Sequence, residues 1–307
     1  MSEALSTAAH AGAAAAEHVA PTSSEYIVHH LTHWRNKPQT EIVDFSVFNY
    51  DSIFFSVLLG LVGSFFLWKA ASKATSGAPG RFQAAVEILF EMVNNQAKSI
   101  VHNANSRKMV APLALTVFIW VFLLNAMDFL PLDLLPLIWE KIYGAMGHDP
   151  HHAYLRVVPT ADLSVTMGLS VSVLLICLFY NMKIKGVGGW AHELVSAPFG
   201  TSKNPIFAVI LGVVNIAEQL ISFVAKTVSH GMRLFGNMYA GELVFMLIAL
   251  LGGSWALSFE PGSLALLGLH IVAGWAWSVF HIIIVILQAF VFMMLTLVYI
   301  GQSHDAH

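Results

Sequence analysis

The chain has 307 residues, 57% of them hydrophobic and only 11% charged, with a formal net charge of −3 and a mean hydropathy of +0.69. Several apolar runs approach or exceed the ~20 residues a helix needs to cross a bilayer, which excludes a water-soluble domain and predicts an all-α polytopic membrane protein. The single cysteine, Cys177, lies in an apolar run and excludes an internal disulfide.

Residues 1–40 are rich in Ala, Ser and His and lack a basic start followed by an apolar core, so no signal peptide is expected. They are expected to form a mobile outer segment, with residues 41–303 as one membrane-embedded domain. Asp51 to Trp68 predicts the first, N-terminal span, flanked by Lys69 and Lys73. Residues 75–81 break it. From Phe82 to Val101, Val86, Leu89, Phe90 and Val93 recur at helical spacing with Glu87, Glu91, Asn94 and Lys98 elsewhere, which predicts an interfacial amphipathic helix. Met109–Leu130 and Leu163–Tyr180 predict a transmembrane hairpin. Its connection, Pro131 to Asp162, is polar and Pro-rich. Within that connection the His-rich loop 148–152 reads as a solvated turn more than as a metal site. Asn181 to Asn204 is expected to be a loop.

Asn204-Pro205 predicts a helix start. The apolar segments about 205–251 and 263–300 that follow would be roughly 70 and 57 Å long as helices, against a hydrocarbon core of ~30 Å. Each is therefore either a hairpin or one strongly tilted helix; Gly231 and Gly236 would allow a break. If each segment crosses once, an outer N-terminus puts Lys69, Lys73, Arg81, Lys98, Arg107, Lys108, Lys183, Lys185 and Lys203 inside. Only Arg35, Lys37, Lys141 and Arg156 then fall outside. The excess of inner cations predicts N-out, C-in.

Arg233 is the most informative residue. It sits mid-segment in an apolar run, where a cation costs roughly 2.5–3.5 kcal/mol on insertion scales. No carboxylate stands three or four residues away on its own helix, so its counter-charge is expected from another element or subunit. With the two long segments antiparallel, helical rise sets Gln288 level with Arg233 and His281 near the depth of Glu242. The outcome is a polar ladder. Glu242, His281 and Asn237 lie on the outer side, with Asp128 at the outer end of a span. Glu218, Gln219, Ser222, Lys226 and Ser229 lie on the inner side. A fixed cation between the two halves would keep protons from leaking straight through. His230 and His270 read as packing residues, and Lys226 reads equally well as a lysine snorkelling inward.

The stretch Arg233-Leu-Phe-Gly-Asn-Met-Tyr-Ala-Gly-Glu242 resembles the signature of subunit a of the F-type ATP synthase, in a form most similar to proteobacterial members. So do Phe280-His281 through Gln288 to Tyr299, Asn125-Ala-Met-Asp128-Phe-Leu-Pro131-Leu-Asp133-Leu-Leu-Pro136 and Leu155-Arg-Val-Val-Pro159-Thr-Ala-Asp162. The resemblance spans roughly residues 40–303. It implies a stator proton-channel subunit in the bacterial inner membrane, with two long tilted helices packed against the c-ring. Arg233 would face the ring carboxylate. Glu242, His281, Asn237 and Gln288 match the outer half-channel; Ser222, Lys226 and Ser229 fall where the inner one is placed. Partners implied are the c subunits, subunit b of the peripheral stalk, the rest of the complex and membrane lipid. In one departure the family's inner glutamate is replaced by Gln219, with Glu218 one residue before it.

No cofactor, metal or nucleic acid is expected. The chain carries no Gly-rich phosphate loop, so it is not expected to be a hydrolase itself. The nearest rival is a sodium-coupled version of the same subunit. A haem-binding subunit using His230, His270 or His281 and a stand-alone transporter are further alternatives.

Overall fold

The computed structural model describes residues 22–41, 44, 46–202, 204–253 and 260–303, with His151 described by its backbone alone. Among the described residues eight α-helices follow in order. They are α1 (Ser23–Leu31), α2 (Tyr50–Ser72), α3 (Arg81–Ile100), α4 (Ala104–Ala126), α5 (Leu134–Ala145), α6 (Leu163–Ser196), α7 (Pro205–Gly253) and α8 (Pro261–Gln302). The same residues contain no strand, only an isolated bridge between Arg35 and Asn49. Helices α2, α4, α6, α7 and α8 are long and apolar enough to span a bilayer. The chain is an all-α polytopic membrane protein.

Helix starts follow local chemistry. Asn204 caps α7 by accepting the Ile206 N–H (3.2 Å), and Pro205 supplies the first turn, as the Asn-Pro pair predicts. Asp162 caps α6 through Ser164 N–H (2.9 Å), and Asn103 caps α4 through the amides of Asn105 and Ser106. The α7 and α8 helices run unbroken for 49 and 42 residues, or about 74 and 63 Å. This resolves the choice between hairpins and single helices in favour of single helices, and neither fits upright within ~30 Å of hydrocarbon.

Two expectations are corrected. Residues 181–196 are helical, not loop, because α6 continues across a kink at Gly186. There φ is +71°, a conformation glycine adopts without steric cost. The connection from Pro131 to Asp162 contains α5. Pro136 sits in its first turn, where a missing N–H removes no helical bond. Within the segment expected to be mobile, α1 begins with a Thr22–Glu25 capping box. It reaches α5 through Asp133: Tyr26 Oη donates to Asp133 Oδ1 at 3.0 Å, and His30 Nε2 lies 3.0 Å from the same oxygen.

The core forms where α4, α7 and α8 converge, with α6 against the far side of α7. Leu234 and Met238 of α7, Val285, Ala289, Met293 and Leu297 of α8 and Val110, Ala114, Phe118 and Val121 of α4 belong to one buried cluster, with α8 packed against both other helices. Their spacing of three and four residues keeps each set on one helix face. In lipid, close packing rather than water expulsion drives such contacts, and glycine permits the closest ones. A Cβ on Gly231 would meet Met167 Sδ of α6 at 2.7 Å, and one on Gly241 would clash with Cε1 of the His281 ring of α8. Helix α3 buries Val93 and Ala97 while Phe82, Ile88 and Phe90 stay exposed. It is not among the spanning helices, in keeping with an interfacial position.

Candidate functional site

Glu242 of α7 is buried against the guanidinium of Arg156, which enters from the loop between α5 and α6. Arg156 Nη2 lies 2.5 Å from Glu242 Oε2, and Nε lies 3.2 and 3.4 Å from the two carboxylate oxygens. Both side chains are 6% exposed. The guanidinium also sits 5.5 Å from the Tyr239 ring centroid. Its third edge, Nη1, is 3.2 Å from His33 Nε2. Asp51, at the start of α2, gathers the far side. It accepts the main-chain N–H groups of Ser52, Trp34 and Arg156 at 2.8, 3.1 and 3.0 Å, and both its oxygens lie 3.3 Å from His33 Nδ1. Asp162 stands beside this group. Burial opposes its charge, but hydrogen bonds from the Asn49 amide (2.7 Å) and Ser164 N–H hold its carboxyl below the usual carboxylate range, and any charge on His33 adds to this.

Beside this cluster stands His281 of α8, fully buried. Its Nε2 lies 2.7 Å from Asp128 Oδ2, just past the end of α4. Among the described residues Nδ1 has no hydrogen-bond partner. Phe129, Phe245 and Gly241 wall the ring. Glu242, His281 and Asp128 therefore come together as the ladder requires. Asn237 does not join them: its amide donates back to the Arg233 carbonyl at 2.8 Å.

His281 against Gly241 and His230 stacked on Phe292 (3.8 Å) define one antiparallel register between α7 and α8. That register sets buried Gln288 opposite Leu234, one residue from Arg233. Arg233 itself is exposed, and among the described residues it makes no ion pair. Ser229, Met232, Gly236 and Ala240 share its exposed face. A cation thus stands without an ion pair on an exposed face where Ser229, Gly236 and Ala240 are small and Met232 alone is large.

On the other side of Arg233, α6, α7 and α8 frame an open cavity of about 1020 Å³, lined among others by Glu218, Gln219, Ser222 and Lys226. Ser229 lies outside it. Lys226 Nζ donates to Gln302 Oε1 at 3.0 Å. Lys185 and Glu193 also line the cavity, paired at 2.6 Å. Eight residues apart, they would be separated by about 12 Å of rise on a straight helix; the Gly186 kink brings them together.

Arg156, His33, Asp51 and Glu193 were not legible as site residues. The partners of Arg156, His33 and Asp51 lie on other elements, and Glu193 reaches Lys185 only across the Gly186 kink. The one usable signal was a lone arginine among apolar neighbours, Leu155 and Val157-Val158, since a buried cation needs a partner. Among the described residues no cluster of three or more His, Cys, Asp or Glu is arranged to hold a metal.

A model of the family described as ATP synthase A chain matches residues 53–301. The chain is 69% identical over 293 residues to the ATP synthase subunit a of Paracidovorax citrulli (strain AAC00-1), covering 95% of this chain and all of that protein. It is 66% identical, with the same coverage, to that of Acidovorax sp. (strain JS42). It is 44% identical to that of Psychrobacter cryohalolentis, over 92% of this chain and 96% of the other.

Proposed function

The chain belongs to the ATP synthase A chain family, and from that premise we propose that it is the proton-conducting stator subunit, itself non-catalytic, of an F-type ATP synthase. The family and the five apolar helices make it a multi-pass component of that complex in a bacterial inner membrane. The single observation that carries the finer reading is Arg233, an ion-pair-free cation on an exposed apolar face, with a buried acidic cluster on one side and a polar cavity on the other.

Protons enter from the periplasm, where the N-terminus lies, and pass through Glu242, His281 and Asp128 to a ring carboxylate beside Gln288. Neutralised, that carboxylate can face lipid, which a charged one cannot do cheaply. Nearly one turn later it meets the cavity lined by Glu218, Gln219, Ser222 and Lys226, and loses its proton toward the cytoplasm. Opposite Arg233 the carboxylate is held charged, so a protonated site is disfavoured there and the two halves stay separate. The membrane potential contributes about 2.3 kcal/mol per charge per 100 mV. The long tilted helices α7 and α8 offer the ring their exposed face, and subunit b braces the chain. An imidazole on the outer path favours protons over sodium, because hard cations want oxygen ligands.

The test is ATP-driven proton pumping in inverted membrane vesicles carrying Arg233→Ala, with the ring shown to co-purify. Lost pumping in an intact complex is expected. Retained pumping would make the arginine structural and end this reading.

A further inference from the structure

We propose that His33 is a positioning residue of the outer half-channel: as a neutral acceptor it holds the Arg156 guanidinium on Glu242, and a proton on its Nε2 releases that hold. The proposal rests on the proton-path reading above and adds to it a residue from the N-terminal segment.

The protonation state follows from the partners. An arginine has donors only, so Nη1 at 3.2 Å from His33 Nε2 requires a lone pair on that nitrogen. The ring proton then sits on Nδ1, where both oxygens of Asp51 lie at 3.3 Å. Donor and acceptor needs are met by one neutral tautomer, assigned here from its neighbours. Asp51 also takes the main-chain N–H of Arg156 at 3.0 Å, so one carboxylate fixes both the ring and the base of the arginine. With Nη1 anchored on His33, Nε and Nη2 are left to face Glu242.

A second proton changes this locally. It would convert Nε2 into a donor pointing at a donor, and set a second cation about 3 Å from the guanidinium, where like charges in a poorly solvated site repel strongly. The groups facing His33 from every side sharpen the effect. Asp51 and Ser52 come from α2, Arg156 from the loop before α6, Asp162 from the α6 cap and Glu242 from α7 beyond the guanidinium. Asp51 would hold the protonated ring more firmly while Arg156 was pushed away. Glu242 would then lose part of its clamp and become free to take a proton. His33 is 11% exposed and sits on the outer rim, so it senses the outer solution before Glu242 does. Proton uptake is thereby coupled to external acidity.

Two variants separate this from a structural role. In His33→Gln the amide oxygen can accept from Arg156 and the amide nitrogen can donate to Asp51, but the side chain does not titrate. In His33→Leu both contacts are lost. The assay is initial ATP synthesis by the purified complex in proteoliposomes. The lumenal pH, matching the periplasmic side, is varied while a potassium gradient holds the total driving force constant. The expected result is an acid-side rise in the wild-type rate that His33→Gln lacks, with the two rates alike at alkaline lumenal pH. His33→Leu, which frees Arg156 as protonation does, should show the faster acid-side rate at every lumenal pH, with the chain still present in the complex. If His33→Gln keeps the wild-type pH profile, or His33→Leu matches wild type, the proposal is overturned. Arg233→Ala run beside them keeps the two readings apart, since its loss of activity alongside unaffected His33 variants would sink only the role of His33.

Discussion

Replacing Arg156 by leucine tests whether the outer cluster is held by a true ion pair. The guanidinium makes three contacts to Glu242 between 2.5 and 3.4 Å, in a site where each side chain is 6% exposed. Removing one partner of such a pair leaves a buried charge uncompensated, at about 3–5 kcal/mol. Arg156→Leu also frees His33 Nε2, so about 4 kcal/mol is expected, near a thousandfold in the packing equilibrium. Glu242→Gln should cost about 3–4 kcal/mol by the same route. Independent effects would sum to about 8 kcal/mol in the double variant. Removing both charges together is far milder, so about 4–5 kcal/mol is expected, a coupling near 3 kcal/mol and the upper end for residues in contact. The assay is the dodecyl sulfate concentration at which the chain is lost from the purified complex, measured for all four corners of the cycle. Strict additivity would refute the pairing. The double variant should pack little worse than Arg156→Leu alone, and pumping should stay lost because Glu242 is still missing.

Gly241→Ala should abolish pumping and lower stability by about 1–3 kcal/mol, the usual range for overpacking, because the new methyl clashes with the edge of the His281 ring; the same detergent titration and vesicle assay check it. Asp162→Ala removes the α6 cap and the acceptor for Asn49 and should cost about 1–3 kcal/mol at neutral pH. The folded carboxyl titrates below its unfolded value of 3.8. Its contribution is therefore full above that value and is lost as pH falls through the lowered one. The gap between Asp162→Ala and wild type should accordingly close in acid, and a gap that widens would reverse the sign.

The membrane class, the five spans and the register of α7 against α8 were legible because apolar runs and helical rise are read directly along the chain. Setting His281 beside Glu242 needed only two segments and one spacing. The helical stretch 181–196 was missed because glycines and lysines mimic a loop, whereas the kink costs a single residue at Gly186. Helix α5 was missed because Pro136 looks like a breaker until it is known to lie in the first turn. Arg156, His33 and Asp51 reach Glu242 from three different connections, a convergence that only the fold creates. The direction of the Asn237 side chain, which turns back to the carbonyl one turn away, is another feature that spacing does not give.

The most direct measurement is passive proton conductance through vesicle membranes carrying Arg233→Ala, with the catalytic head stripped and the ring confirmed in place. If the arginine separates the outer cluster from the inner cavity, its loss should raise conductance above wild type while ATP-driven pumping vanishes in the unstripped membranes. Wild-type conductance together with normal pumping would contradict the central role given to Arg233.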